Sequence, residues 1–145
     1  MSGINGFGHL ALKVQDLGAS LAFYCGGLGF REMTRLVDDK GEPWIVYLRI
    51  TDTSFLELFP AGHAGRAADE AAVGVNHVCF SVEDIEATAA RFAAAGVTLT
   101  SPIQAGLDGN RGAWIEDPDG NRIELMEMAA DCLQYRAISA LPANR

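Results

Sequence analysis

The chain repeats itself. GHLALKVQDL (Gly8 to Leu17) aligns without a gap on NHVCFSVEDI (Asn76 to Ile85), so His9 falls on His77, Val14 on Val82 and Asp16 on Asp84. The match runs on into helical positions, Leu21 on Ala89 and Tyr24 on Phe92. A second match closes each half: FLELF (Phe55 to Phe59) aligns on RIELM (Arg122 to Met126), which places Glu57 on Glu124. The repeat is too long for a solenoid unit and occurs only twice, so it reads as a duplicated module. Each copy opens with a strand His and closes with a strand Glu.

Strand side chains alternate faces with period two. In the opening strands His9, Ala11 and Lys13 oppose Leu10, Leu12 and Val14, and His77, Cys79 and Ser81 oppose Val78, Phe80 and Val82. In the closing strands Phe55, Glu57 and Phe59 oppose Leu56 and Leu58, and Arg122, Glu124 and Met126 oppose Ile123 and Leu125. Each strand thus has an aliphatic face suited to lie under helices. The other face carries His9, Glu57, His77 and Glu124 and reads as the wall of a concave site. A bare carboxylate in such surroundings is normally paired, protonated or bound to a metal.

Turn and cap signals divide the chain into βαβββ twice, an α+β arrangement. Phe7 to Val14 reads as a strand, Asp16 as an N-cap, and Gly26-Gly27 as the helix stop. Strands follow over Phe30 to Val37, Trp44 to Ile50 and Thr53 to Phe59. The second half places strands over Val75 to Val82, Val97 to Gln104, Arg111 to Glu116 and Asn121 to Met128, with a helix over Glu83 to Ala95. Pro102 marks an edge or a bend, since it cannot donate to a ladder. The expected layout is one domain: module one 7–60, a small and polar linker 61–74 containing His63, module two 75–128 and a tail 129–145. In the tail Leu133, Ala137 and Leu141 form one apolar stripe of a short helix. Packing on the body or on a partner subunit is expected of it, with a lid over the site as the alternative.

A net charge of −8 argues against nucleic acid and anionic membranes as main partners. There is no run of apolar residues long enough to span a membrane and no signal peptide pattern. The three cysteines, Cys25, Cys79 and Cys132, contain no CxxC and read as reduced thiols, so a cytoplasmic protein is expected.

GHLALKV, FLELF, NHVCFSV and EDPDGNRIELME resemble the glyoxalase / vicinal-oxygen-chelate superfamily over about residues 7 to 128. The resemblance implies two βαβββ modules forming a cup-shaped mixed sheet. It also implies a divalent metal in the cup, a homodimer, and ligands often drawn from two chains. The nearest pattern is glyoxalase I, a lactoylglutathione lyase, whose His, Glu, His, Glu ligands carry over onto His9, Glu57, His77 and Glu124. Related extradiol dioxygenases hold iron with two His and one Glu, so Glu57 favours the isomerase side. Two positions depart from the pattern: Lys13 stands where an Arg meets the glutathione carboxylate, and Ala61 where bacterial members carry Asn. Lysine keeps the charge and loses the bidentate fork.

Two imidazoles and two carboxylates suit Ni, Zn, Co or Mn with open positions for water, and iron is the further candidate. Such a site can hold two vicinal oxygens and stabilise an enediolate while a carboxylate shuttles a proton between neighbouring carbons. Glu57 and Glu124 are both candidates for that base. Tyr47 falls on Trp114 in the repeat, and Phe55, Phe59 and Met126 share the ligands' parity, which gives a largely apolar pocket. Arg49, Lys13 and Arg122 are the candidate cations for an anionic substrate. The expected activity is that of a metal-dependent lyase or isomerase on a hemithioacetal, such as a glutathione adduct, or another α-hydroxycarbonyl. The alternatives are an epimerase, a ring-cleaving dioxygenase, or a metal-free drug-binding resistance module.

Overall fold

The computed structural model describes residues 3–142. Two compact units divide it, one over Asn5–Ala67 and one from Ala68 onward. The first unit runs β1 (His9–Lys13), α1 (Leu17–Leu21), β2 (Arg31–Val37), β3 (Pro43–Arg49) and β4 (Phe55–Phe59), with a π-helical segment Ala22–Gly27 continuing α1. The second runs β5 (Val78–Val82), α2 (Ile85–Ala94), β6 (Ser101–Ala105), β7 (Arg111–Glu116) and β8 (Arg122–Glu127), followed by α3 (Leu133–Ala140). Both units are therefore βαβββ. Each has its own four-stranded sheet, ordered β1-β4-β3-β2 and β5-β8-β7-β6. In each the first strand pairs in parallel with the last and the other pairings are antiparallel, so both sheets are mixed.

The same residues start both helices. Asp16 and Asp84 are the N-caps, and each Oδ1 accepts a backbone N–H from the third residue on, Ala19 and Ala87. That contact satisfies one of the orphan donors of the first turn. The aliphatic parity predicted from the sequence is the packed parity: Leu56, Leu58 and Ile123 are fully buried and Leu125 nearly so, while Glu57 and Glu124 on the opposite face are half-buried. Each such leucine or isoleucine contributes roughly 1.5–3 kcal/mol. A one-residue slip of either strand would exchange these side chains for a carboxylate.

A turn at Asp117–Gly120 launches β8. The buried carboxylate of Asp117 accepts from the backbone N–H groups of Asp119 and Asn121 and from the Asn121 side chain. Gly120, at φ +87°, takes the left-handed position that the turn requires. The edge strand β6 carries Pro102, and its register against β7 shifts between Ser101 and Gln104.

Two strands start well after their expected first residues, and the one read over Val97 to Gln104 begins only at Ser101. The opening strand of the second unit begins at Val78, paired with Ile123 of β8, instead of at Val75. His77 thus precedes the ladder. The tail helix forms, yet Leu133 and Leu141 stay exposed, so the apolar stripe packs on nothing described. The buried residue at its start is Cys132. The last tail residues, 143–145, lie outside the described residues. No helix among the described residues is long and apolar enough to cross a membrane.

Ala61, just after β4, holds φ +62°. A β-carbon in that region costs about 1–2 kcal/mol, partly offset by the chain entropy that glycine would lose. At the next residue a Cβ on Gly62 would lie 3.1 Å from the backbone of Val14. Urea denaturation should therefore give opposite signs at adjacent positions: Ala61→Gly raises stability by about 0.5–1 kcal/mol, and Gly62→Ala lowers it.

Candidate metal and substrate site

The two closing glutamates occupy equivalent ladder positions. Glu57 lies between Ala11 and Tyr47, and Glu124 between Cys79 and Trp114. Each faces the histidine of its own unit. His9 Nδ1 is 3.7 Å from Glu57 Oε1, and His77 Nε2 is 3.2 Å from Glu124 Oε2. The glutamate side chains are 13% and 17% exposed and the histidines 52% and 32%, so each pair has a sheltered carboxylate and an open imidazole.

The second pair is the more constrained. His77 Nδ1 lies 2.8 Å from Asn76 Oδ1, and Asn76 Nδ2 donates to the Glu70 carbonyl at 2.9 Å, which assigns the amide orientation. His77 Nδ1–H must then be the donor, and in the neutral ring Nε2 carries the lone pair. That lone pair points at a carboxylate oxygen, an arrangement that calls for a proton or a cation between them. The ring also stands edge-on to Trp114, with centroids 4.8 Å apart. In the first unit Gly8 takes the place of Asn76 in the repeat, and a glycine has no side chain with which to brace His9.

The donor chemistry fits a divalent ion: each unit presents one imidazole and one carboxylate on an open face. Two donors are too few for a protein site, and among the described residues no group of three or more His, Cys, Asp or Glu side chains is close enough to hold one.

A pocket of about 180 Å³ opens beside Glu124 within the second unit, walled by Trp114, Met126, Gln104, Arg111 and the Asp108–Asn110 turn. Trp114 and Met126 were legible from parity and the repeat. Gln104, Arg111, Asp108 and Asn110 were not, and neither was Asn76, because no matching residue in the repeat and no periodicity marks them. Gly112 leaves open the space beside Glu124, where a Cβ would lie 3.5 Å from Oε1.

The remaining candidates are placed as follows. Tyr47 and Phe59 are half-buried on the Glu57 face. Lys13 stands opposite Phe59 and donates Nζ to the Pro60 carbonyl at 2.6 Å. Arg49 pairs with Asp52. Arg122 stacks its guanidinium 4.7 Å from the Trp114 centroid and pairs with Glu70 at 3.0 Å. All three cations already have acceptors, and Arg111, the cation that lines the pocket, is shared by Glu86 and Glu127.

Cys79 has an open residue surface, yet its thiol is pushed up to about 12, first by desolvation and then by the charge of Glu124 and a hydrogen bond to it. At neutral pH it is a protonated donor and a poor nucleophile. Glu124→Gln removes two of the three raising influences, so alkylation of Cys79 by iodoacetamide at pH 8, followed by peptide mass spectrometry, should be slow in the native chain and faster in that variant.

Residues 6–125 match the family model of the Glyoxalase/Bleomycin resistance protein/Dioxygenase superfamily. The chain is 30% identical to a lactoylglutathione lyase of Pseudomonas aeruginosa over 83% of its length and 81% of that protein's. It is also 30% identical to an ethylmalonyl-CoA/methylmalonyl-CoA epimerase of Cereibacter sphaeroides, over 63% of this chain and 71% of the other. A glyoxalase family protein from Enterococcus faecalis superposes with a TM-score of 0.71 at 27% identity, covering 82% of this chain and 94% of that one. On this evidence the chain belongs to the glyoxalase/bleomycin resistance protein/dioxygenase superfamily.

Proposed function

We propose that the protein is a divalent-metal-dependent isomerase or lyase of the glyoxalase I type, acting on a hemithioacetal or a related α-hydroxycarbonyl. The observation that carries this reading is the pair of His–Glu contacts, His9 with Glu57 and His77 with Glu124, at equivalent places in two modules. The lyase named among its relatives supports it. In this reading His9, Glu57, His77 and Glu124 would hold the ion, and the working form is a homodimer. Nickel, zinc, cobalt and manganese suit two imidazoles and two carboxylates. The ion supplies a Lewis acid for two vicinal substrate oxygens.

The residues of the chain do the rest. Asn76 fixes the tautomer of His77, so the nitrogen facing Glu124 is the one with a lone pair. Trp114 and Met126 give the substrate an apolar wall and keep water from the reacting carbons. Glu124, sheltered and lining the pocket, takes the proton from the hydroxyl-bearing carbon and returns it to the neighbouring carbonyl carbon. Glu57 is the alternative base. The products carry the same atoms as the substrate, so no oxidant is needed. The Cereibacter sphaeroides relative favours a second reading, epimerisation, in which the proton returns to the opposite face of the same carbon. Solvent deuterium separates the two: isomerisation labels the adjacent carbon, and epimerisation the carbon that lost its proton.

Metal titration of the purified chain tests the core of the proposal. The expected result is one nickel or zinc ion per chain, weakened more than tenfold by Glu57→Gln and about 10–100-fold by Asn76→Ala. Absence of binding, or binding that neither substitution alters, would overturn it.

A further inference from the structure

The tail begins beyond the segment that matches the family model, which ends at residue 125. It is nevertheless tied into the pocket wall by side chains. Asn110, 2% exposed, is the hub. Its Nδ2 donates to Asp108 Oδ2 at 2.8 Å and to Gln134 Oε1 at 3.1 Å, and its Oδ1 accepts the Ala129 backbone N–H at 2.9 Å. Gln134 Nε2 closes the ring by donating to Asp108 Oδ2 at 2.7 Å. The backbone joins in, with Leu133 N–H donating to the Asp108 carbonyl at 2.8 Å. A Cβ at Gly109, the tip of this turn, would lie 3.8 Å from Cys132 Cα.

The other side of the same cluster is the pocket. Asp108 and Asn110 line it, and Asn110 Nδ2 lies 3.5 Å from Sδ of Met126, the wall residue two positions beyond Glu124. Hydrogen bonds from Gln134 first, and then from the Asn110 backbone and side chain, hold the Asp108 carboxyl below the ordinary carboxylate range. It therefore stays an ionised acceptor at neutral pH. Hydrogen bonds to a charged acceptor are stronger than neutral ones.

We propose that the Asp108–Asn110–Gln134 cluster is a clamp by which α3 sets the position of the pocket wall, which makes Gln134 and Asn110 positioning residues for substrate selection. The inference rests on the reading above only in taking the pocket beside Glu124 as the substrate site. The clamp explains why α3 docks while its apolar stripe stays exposed: polar contacts at its first turn hold it, and these aim at the pocket. Met126 has a flexible side chain, so its place depends on what fixes its neighbours. Removing the Gln134 amide frees the tail and lets Met126 and the Asp108–Asn110 turn relax outward, widening the pocket without touching Glu124.

The test uses the full chain carrying Trp44→Phe, which leaves Trp114 as its tryptophan, since the sequence holds two. Gln134→Leu removes the clamp at similar volume. Alkylation of Cys132, 1% exposed in the native chain, should accelerate about tenfold, the change in opening expected from one to two lost hydrogen bonds. Acrylamide quenching of Trp114 should rise in parallel. With a hemithioacetal that the native chain turns over, KM should increase while kcat holds. Gln134→Glu should behave like Gln134→Leu by setting two carboxylates together, and adding Asp108→Asn to it should recover part of each readout, since the new amide can donate to the new carboxylate but no longer accepts from Asn110 Nδ2. Unchanged Cys132 labelling would overturn the clamp, and labelling that rises while Trp114 quenching and KM stay fixed would reduce α3 to plain packing. A native chain inactive on every hemithioacetal would sink the proposed activity, while labelling and quenching would still decide the clamp.

Discussion

Everything at the candidate site depends on the alternation of side chains along β4 and β8. Each is flanked on both sides by paired strands, and each carries two fully or nearly fully buried aliphatic residues behind one carboxylate. The aliphatic face cannot move to solvent without losing several kcal/mol of burial, and the carboxylate cannot move inward without a desolvation penalty of similar size or larger. The two constraints have the same sign, so they lock the register and with it the direction of Glu57 and Glu124. The histidines are then delivered by the parallel neighbours: His9 is the first residue of its ladder, and His77 stands just before the first rung of the other.

Duplication makes the two units alike in backbone and leaves them unlike in detail. The helix caps Asp16 and Asp84 and the ladder neighbours of each glutamate correspond one to one. The environments differ. His77 is braced by Asn76 and Trp114, while His9 is more open and presents Nδ1 to its glutamate where His77 presents Nε2. Tyr47 and Ile45 stand in the first unit where Trp114 and Gly112 stand in the second. Gly112 and Trp114 border the pocket beside Glu124.

What could be read from the sequence follows from how local the signals are. Parity, N-caps and the Asp117–Gly120 turn are set by neighbours a few residues apart, and strand and helix ends came out within three residues for most elements. The His–Glu pairs were legible because the repeat doubled the signal. The clamp was not legible: Asn110 and Gln134 are 24 residues apart, and polar side chains that meet across such a distance leave no period. The tail shows the same limit from the other side. Leu133, Ala137 and Leu141 have helical spacing, and the helix is there, but amphipathicity does not say which face docks when a buried Cys132 and an amide at Gln134 hold the other side. Asn76 carries no signal in the repeat, because its counterpart is Gly8.

The central proposal is that the repeated His–Glu pairs supply the donors of a divalent-ion site. The most direct measurement is X-ray absorption at the nickel edge of the nickel-loaded protein. The account predicts scattering from two imidazoles with the remaining positions filled by oxygen and none by sulfur. A spectrum without imidazole scattering, or one with a sulfur neighbour from Cys79, would contradict it.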